Sequence, residues 1–154
     1  MKIIILIIIL ILSSLSPHRV FGASLLLDTL ASEAVGRPVE YAVLLPPARE
    51  APYPLVLLLH GAGGDREYLN LEAAVITELW EAGSLPEFVI ATASVPPGTI
   101  YMDDRAGKAK WETFMMEEFL PHLRATYPVS ARRSETLITG VSMGGAGTVR
   151  RAVR

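Results

Sequence analysis

LITGVSMGG, at residues 137–145, is the stretch of sequence that decides the fold class of this chain. A short apolar run leads into the pattern Gly-x-Ser-x-Gly and then into small residues that open a helix. This order is typical of a nucleophile elbow, a sharp strand-to-helix turn that holds a serine with its hydroxyl exposed. The backbone of that serine is strained, and the residues two before and two after it crowd together, which favours glycine at both places. We therefore predict such a turn at Ser142, with Gly140 and Gly144 beside it.

A second glycine-rich segment lies upstream and follows a strand of the same kind. Residues 55–59, LVLLL, are apolar throughout and run into HGAGG at residues 60–64. A loop of this kind is the expected source of an oxyanion-hole amide, a backbone N–H that stabilises negative charge developing on a substrate oxygen. Two ordinary glycine turns are the alternative. That alternative does not explain why two apolar strands are each followed by a glycine-rich loop.

The rest of the chain alternates predicted strands and helices. Strands are predicted at residues 25–30, 39–45, 55–59, 88–91 and 137–141. A helix expected between Asp65 and Gly83 carries an apolar face of Leu71, Val75, Ile76, Leu79 and Trp80. A later helix, with a kink or restart at Pro121, carries a face of Trp111, Phe114, Met115, Phe119 and Leu123.

This alternation predicts an α/β fold with a mostly parallel sheet of about five strands. Ligands of such sheets bind outside the carboxyl ends of the strands. The turn at Ser142, the loop at residues 61–64 and a long Pro/Gly-containing loop at residues 95–109 all leave from that edge. We therefore expect the three segments to converge on one site.

Residues 1–22 have the pattern of an export signal. Lys2 precedes ten unbroken apolar residues, and Val20 with Gly22 fits a cleavage site. A retained membrane anchor is the alternative, but ten apolar residues fall short of the roughly 18 to 20 that cross a bilayer. We predict a signal peptide at residues 1–22, no stable membrane anchor after its cleavage, and an exported protein, either periplasmic or extracellular.

Composition limits the other possibilities. The chain of 154 residues suffices for one domain and has no cysteine, which excludes a disulfide framework. Its net charge of −2 and the lack of a basic stripe argue against a nucleic-acid partner. No His, Cys and carboxylate cluster has metal-ligand spacing, so neither a metal nor a cofactor is expected. A nucleotide site fails on spacing, because Ala146 stands where a P-loop needs lysine and Arg66 where a third dinucleotide-binding glycine belongs.

Four motifs together resemble a known family. They are HGAGG at residues 60–64, YMDD at 101–104, WETF at 111–114 and GVSMGG at 140–145. Over roughly residues 35–154 the chain resembles the esterase D-like esterases of the α/β-hydrolase fold, which include feruloyl and acetylxylan esterases, S-formylglutathione hydrolases and mycolyltransferases.

The resemblance implies a serine carboxylester hydrolase acting on a small-molecule or polysaccharide-linked ester. Ser142 is then the nucleophile that forms an acyl-enzyme, and the backbone N–H groups of Ala62 and Met143 form the oxyanion hole. Gly61, like the two glycines of the elbow, is then needed for the shape of the site.

The sequence departs from the family pattern after the serine. In α/β-hydrolases the acid and the histidine of the triad follow the serine along the chain. Residues 143–154 contain no Asp, Glu or His, and a serine without a general base is a weak nucleophile. Residues 23–154 thus resemble the N-terminal part of an esterase domain without its C-terminal strands, and we expect this chain alone to be inactive. A pseudo-enzyme with only a binding role, or none, is the alternative.

Other polar residues near the predicted site are weaker candidates. His60 is expected to be structural, and His122 to lie on the solvated surface. Asp103 and Asp104 lie on the loop that faces the site, where they either shape a substrate pocket or form a turn. Glu112 lies in the first turn of a helix, where interaction with the helix dipole, or a hydrogen bond to the elbow region, is favoured over catalysis.

Overall fold

The sheet has five strands, and four of them run in the same direction. The structure, a computed structural model, describes residues 22–47 and 51–152, so the predicted signal peptide lies outside the described residues except for Gly22. The strands are β1 (Ser24–Leu30), β2 (Val39–Leu45), β3 (Leu55–Leu59), β4 (Val89–Ala93) and β5 (Thr136–Gly140). Their order is β1-β2-β4-β3-β5. β3 is parallel to β4 and β5, whereas β2 is antiparallel to β1 and β4. The predicted α/β class with a mostly parallel sheet is confirmed.

Helices connect the parallel strands. α1 (Glu67–Glu81) joins β3 to β4, and α3 (Met143–Ala152) follows β5. α2 joins β4 to β5 and consists of three consecutive segments: Trp111–Thr113, a π-helical turn at Phe114–Phe119, and Leu120–Thr126. In the described part of the chain, no helix combines the length and the apolar character that a membrane crossing requires.

The two faces of the sheet form two separate cores, because successive side chains of a strand point to opposite sides. On one face, Tyr41, Leu57 and Ala91 pack with the buried residues of α2. On the other face, Ala42 and Ile90 pack with α1. The predicted apolar face of α2 is confirmed, since its members are all buried: Trp111, Phe114, Met115, Phe119 and Leu123.

The predicted apolar face of α1 is largely wrong. Leu71, Val75 and Leu79 are 76%, 54% and 39% exposed. The side that packs on the sheet instead carries Leu69, Ala73, Ile76 and Trp80. These four residues follow the helical spacing i, i+4, i+7, i+11. α1 has apolar residues on more than one side, so periodicity alone does not determine which stripe faces the sheet.

The π turn of α2 ends at Phe119, two residues before Pro121. The backbone N–H of Leu120 donates to the carbonyl of Met115, five residues earlier, which is the π-helical spacing. Pro121 has no backbone N–H and stands in the first turn of the last α-helical segment. The predicted restart at Pro121 therefore takes the form of a change from π to α geometry.

β5 has an open edge in the part of the chain that the structure describes. It pairs with β3, and no second strand among those residues pairs with it. Leu137 of β5 is 59% exposed. A groove of about 810 Å³ on one side of the strand is lined by apolar residues that include Leu58 and Ile76, and one of about 540 Å³ on the other side includes Met116. An apolar strand with free N–H and C=O groups promotes pairing with other chains.

We therefore expect the purified 154-residue chain to self-associate through β5. Leu137→Lys should shift the population towards monomer, because a charge on an edge strand opposes strand pairing. Light scattering coupled to gel filtration measures the change. Leu71→Lys is the matched control, since Leu71 is exposed on α1. A monodisperse wild-type monomer, or an equal effect of both lysines, would contradict the expectation.

Candidate active site

Ser142 lies on the predicted turn between β5 and α3. Its φ of 53° is in the left-handed region, which costs a non-glycine residue about 1–2 kcal/mol. The Gly144 N–H donates to the Val141 carbonyl at 2.9 Å and the Ala146 N–H to the Ser142 carbonyl at 3.1 Å, so the chain enters the helix at once. Ser142 is exposed. The strand–turn–helix therefore presents this serine to solvent on a strained backbone.

Two glycines allow this turn to press against the end of β3. A Cβ on Gly140 would lie 2.6 Å from the Gly144 carbonyl carbon, and a Cβ on Gly144 only 1.9 Å from the Leu59 carbonyl oxygen. Both distances are far below van der Waals contact. Gly145 differs, because the nearest atom to its Cβ would be the Gly140 oxygen at 3.4 Å. The crowding predicted for the elbow thus falls on Gly140 and Gly144.

The loop after β3 lies beside the serine. A Cβ on Gly61 would stand 3.5 Å from the Cβ of Ser142 and 3.6 Å from the Val141 carbonyl oxygen. The Val141 N–H donates to the Leu59 carbonyl at 3.1 Å, which extends the β3–β5 pairing to the turn. Parallel strands place both loops at one edge of the sheet, so the predicted convergence of residues 61–64 and Ser142 is confirmed.

His60 is fully buried beneath this loop. Its Nδ1 lies 2.8 Å from the Gly61 carbonyl oxygen. Its Nε2 accepts the Val95 N–H at 3.1 Å, and the Ala93 carbonyl oxygen is also 3.1 Å away. Because the ring has no exposed surface, the expectation that His60 is structural, and not a base open to substrate, holds. Sequence reasoning missed Val95, since a backbone N–H leaves no signal in a side-chain pattern.

Tyr101 anchors the long loop at residues 95–109 to the same place. Its hydroxyl donates to the His60 carbonyl at 3.1 Å, and its ring packs edge-on against the imidazole with centroids 5.8 Å apart. Tyr101 and Ile100 have φ values of 54° and 51°. Burial raises the pKa of the Tyr101 phenol. The long loop is therefore joined to the 61–64 segment at His60, while the turn at Ser142 meets that segment at Gly61.

A comparison with known families agrees with this arrangement. Residues 32–154 match the profile of the family described as "Putative esterase". The chain belongs to this esterase family. An esterase of Mycobacterium tuberculosis is 28% identical over 104 residues, which cover 66% of this chain and 22% of the relative. An acetyl esterase of Caldicellulosiruptor saccharolyticus is 31% identical over 100 residues, covering 63% of this chain and 35% of the relative.

A solved structure of a ferulic acid esterase superposes with a TM-score of 0.77 and 29% identity. The match covers 86% of this chain and 55% of that one. This member of the esterase family therefore spans about half of the length of that structure's chain, and a smaller share of the length of the two relatives.

In this member of the esterase family, Asp103 forms hydrogen bonds with the first residues of α2. Its carboxylate accepts the Thr113 N–H at 3.0 Å and the Thr113 hydroxyl at 2.8 Å. Burial raises the pKa of this carboxyl, but the hydrogen bonds from Thr113 and from the Glu112 backbone, with the charge of Lys110, hold the pKa below its ordinary value. The exposed Asp104 accepts the Ala106 N–H at 3.1 Å within its own turn. A pocket role for either residue remains a prediction.

The lowered pKa of Asp103 predicts an acid-sensitive contribution to stability. A carboxyl whose pKa is lower in the folded than in the unfolded state stabilises the fold above about pH 4, and this stabilisation is lost as the pH falls through the folded-state pKa. Asp103→Asn should lower the free energy of unfolding at pH 7 and flatten its decrease between pH 5 and 3. Urea titrations measure both quantities. Asp104→Asn is the control, and an equal loss at pH 7 would contradict the assignment.

His122 is not the solvated surface residue that the sequence predicts. It is half-buried, and its Nε2 lies 2.8 Å from the Tyr41 hydroxyl. Its ring packs edge-on against Tyr41 and Tyr127 at centroid distances of 5.4 and 6.5 Å. The Tyr41 hydroxyl also donates to Asp28 at 3.2 Å. The prediction failed because Asp28 and Tyr41 come from β1 and β2 and become neighbours of α2 only in the fold.

Two further observations concern the remaining candidates. Glu112 lies in the first turn of α2, as the sequence predicts, and is half-buried there. Among the residues at 22–47 and 51–152, no three His, Cys, Asp or Glu side chains are grouped so that they could hold a metal ion.

Proposed function

We propose that this chain carries the nucleophile and the oxyanion hole of a carboxylester hydrolase. Membership of the esterase family supports the reaction class. The observation that carries the proposal is the left-handed backbone of Ser142, at φ 53°, on a strand-to-helix turn that abuts Gly61. Strain of this kind persists only where surrounding structure enforces it, and it clusters at active sites.

In the proposed reaction the Ser142 hydroxyl oxygen attacks the ester carbonyl carbon. The carbonyl oxygen becomes an oxyanion, which accepts hydrogen bonds from the N–H groups of Ala62 and Met143. Met143 begins α3, so its N–H belongs to the first turn of a helix, where backbone donors lack intrahelical partners. A general base takes the proton of the serine hydroxyl and passes it to the departing oxygen, so that the ester C–O bond breaks and the alcohol leaves. Water then attacks the acyl-serine, which releases the carboxylic acid and restores the serine hydroxyl. Loss of one oxyanion donor typically slows such reactions by about 10²–10³-fold.

The sequence after Ser142 offers no candidate for the general base. Residues 143–154 contain no Asp, Glu or His, and the buried His60 already has partners for both ring nitrogens. We propose that the 154-residue chain alone is inactive, because the acid and the histidine that follow the serine in α/β-hydrolases have no counterpart among residues 143–154. The alternative is a non-catalytic protein in which the turn has only a binding role.

The proposed substrate is a small-molecule or polysaccharide-linked ester, in line with the names of the ferulic acid esterase and the acetyl esterase among the similar proteins. The proposed location is outside the cytoplasm, since residues 1–22 have the pattern of an export signal. Residues 23–154 then form the N-terminal part of the esterase domain.

Supplying the missing base from solution tests the function. The purified chain and Ser142→Ala are incubated with p-nitrophenyl acetate, with and without imidazole, a small general base. Without imidazole we expect equal release of p-nitrophenolate from both proteins. With imidazole we expect an acetyl group on Ser142, located by peptide mass spectrometry.

The two parts of the proposal fail separately. Turnover by the chain alone above that of Ser142→Ala would show that a base is present after all. No acetyl group on Ser142 with imidazole, or acetylation no greater than that of exposed Ser134, would show that the turn is not a nucleophilic site and would favour the non-catalytic alternative.

A further inference from the structure

We propose that His60 is the positioning residue of the oxyanion hole: its Nδ1–H fixes the plane of the Gly61–Ala62 peptide and so directs the Ala62 N–H. The inference rests on the function proposed above, in which the Ala62 N–H binds the substrate oxygen. His60 does not touch the substrate in this arrangement. It acts through the backbone.

The hydrogen bonds of the imidazole place its proton on Nδ1. The Val95 N–H points at Nε2 from 3.1 Å, so Nε2 is an acceptor. A neutral imidazole has one N–H, and it then lies on Nδ1, 2.8 Å from the Gly61 carbonyl oxygen. A proton on Nε2 would bond to the Ala93 carbonyl at 3.1 Å. It would also oppose the Val95 N–H and leave two lone pairs facing each other at Gly61.

The bond to Gly61 sets the direction of the next N–H. The Gly61 C=O and the Ala62 N–H belong to one planar trans peptide, so they point in opposite directions. The Gly61 oxygen also accepts the Gly64 N–H at 3.1 Å, which occupies its second lone pair. Rotation of the peptide would break both bonds. The Ala62 N–H therefore points away from the buried ring, on the exposed side of the loop.

Hydrogen bonds at both nitrogens and close packing of the loop hold the ring in place. His60 has no exposed surface, and a Cβ on Gly64 would approach its Nδ1 to 3.0 Å, so the loop lies directly on the ring. The Tyr101 hydroxyl holds the His60 carbonyl at 3.1 Å, which fixes the preceding peptide as well. Two consecutive peptides are thus oriented before a substrate arrives. A donor held in this way stabilises an oxyanion without reorganisation during the reaction.

Two amide variants separate the two nitrogens of His60. The side-chain nitrogen of asparagine stands at about the position of Nδ1, so His60→Asn keeps a donor for Gly61. The longer glutamine reaches the position of Nε2, so His60→Gln keeps an acceptor for Val95 and loses the donor. If His60 merely fills the core, acetylation of Ser142 should decrease in proportion to thermal stability in both variants.

The experiment compares both variants with the wild-type residue on the Leu137→Lys background, which limits self-association. Nitrogen NMR of the imidazole should show Nδ1 protonated and Nε2 not. The ¹³C shift of the Gly61 carbonyl should be retained in His60→Asn and move in His60→Gln. Imidazole-assisted acetylation of Ser142 should stay close to that of the parent in His60→Asn and fall about 10²–10³-fold in His60→Gln.

A proton on Nε2, or equal acetylation rates in the two variants at equal folded fractions, would overturn the proposal. Should neither variant fold, the protonated nitrogen in the parent decides. Failure of the proposed function is distinguishable, because the parent would then not be acetylated at Ser142 while the imidazole and Gly61 signals still report on the hydrogen bond.

Discussion

Replacing Gly144 with alanine is expected to prevent cooperative folding of the chain. The new Cβ would lie 1.9 Å from the Leu59 carbonyl oxygen and 2.5 Å from its carbon. These are backbone atoms of β3, a strand that is paired on both sides. They cannot move aside as the end of a flexible side chain can. The cost should exceed the 1–3 kcal/mol that is typical of an overpacked core. Urea unfolding followed by circular dichroism measures it.

Gly145→Ala provides the matched control one residue later in α3. The nearest atom to its Cβ would be 3.4 Å away, and alanine is about 1 kcal/mol more favourable than glycine inside a helix. We expect a midpoint equal to or above that of the wild type. If Gly144→Ala unfolds at the same urea concentration as Gly145→Ala, β5 and α3 are not packed against β3 as described.

Ser142→Gly is expected to abolish acetylation while making the fold more stable. The φ of 53° costs serine about 1–2 kcal/mol and costs glycine nothing. The greater freedom of glycine in the unfolded chain offsets about 0.5–1 kcal/mol of that gain. The net increase in unfolding free energy should be about 0.5–1 kcal/mol, measured by urea titration together with mass spectrometry of the acetylated chain.

Two variants control for the loss of the hydroxyl and for glycine itself. Ser142→Ala removes the oxygen but keeps a Cβ on the strained backbone, so its stability should stay near that of the wild type. Ser134→Gly places glycine at an exposed position in a 3₁₀ turn, away from positive φ, and should lower stability. If Ser142→Gly is no more stable than Ser142→Ala, the turn is not under strain.

The features predicted correctly from the sequence are those encoded within a few neighbouring residues. The apolar run at residues 55–59 defines β3, and Gly140 with Gly144 defines the turn at Ser142, because both patterns depend on local geometry. The apolar face of α1 was not predictable in the same way. Leu69 and Leu71 are the same residue type in the same helix, but Leu69 is buried and Leu71 is exposed. Tertiary packing decides which of the two sides of the helix faces the sheet.

The same limit applies to the polar residues around the site. His122 meets Tyr41 across 81 positions of sequence, so its burial has no local signal. Asp103 contacts Thr113 only because of the path taken by the intervening loop. The role proposed for His60 depends on the Val95 N–H, which no residue pattern reveals. The sequence predicts where the turn at Ser142 lies, but not which atoms hold its surroundings in place.

The connection of the long loop to His60 also limits how this family member can diversify. Val95 and Tyr101 both bond to His60, so the first part of the loop cannot change length without disturbing the segment beside Ser142. The hydrogen bonds of Asp103 and Asp104 go instead to Thr113 and to residues of the loop itself. We therefore expect insertions and substitutions in this loop to accumulate after Tyr101 among related chains, while the spacing from Val95 to Tyr101 stays constant.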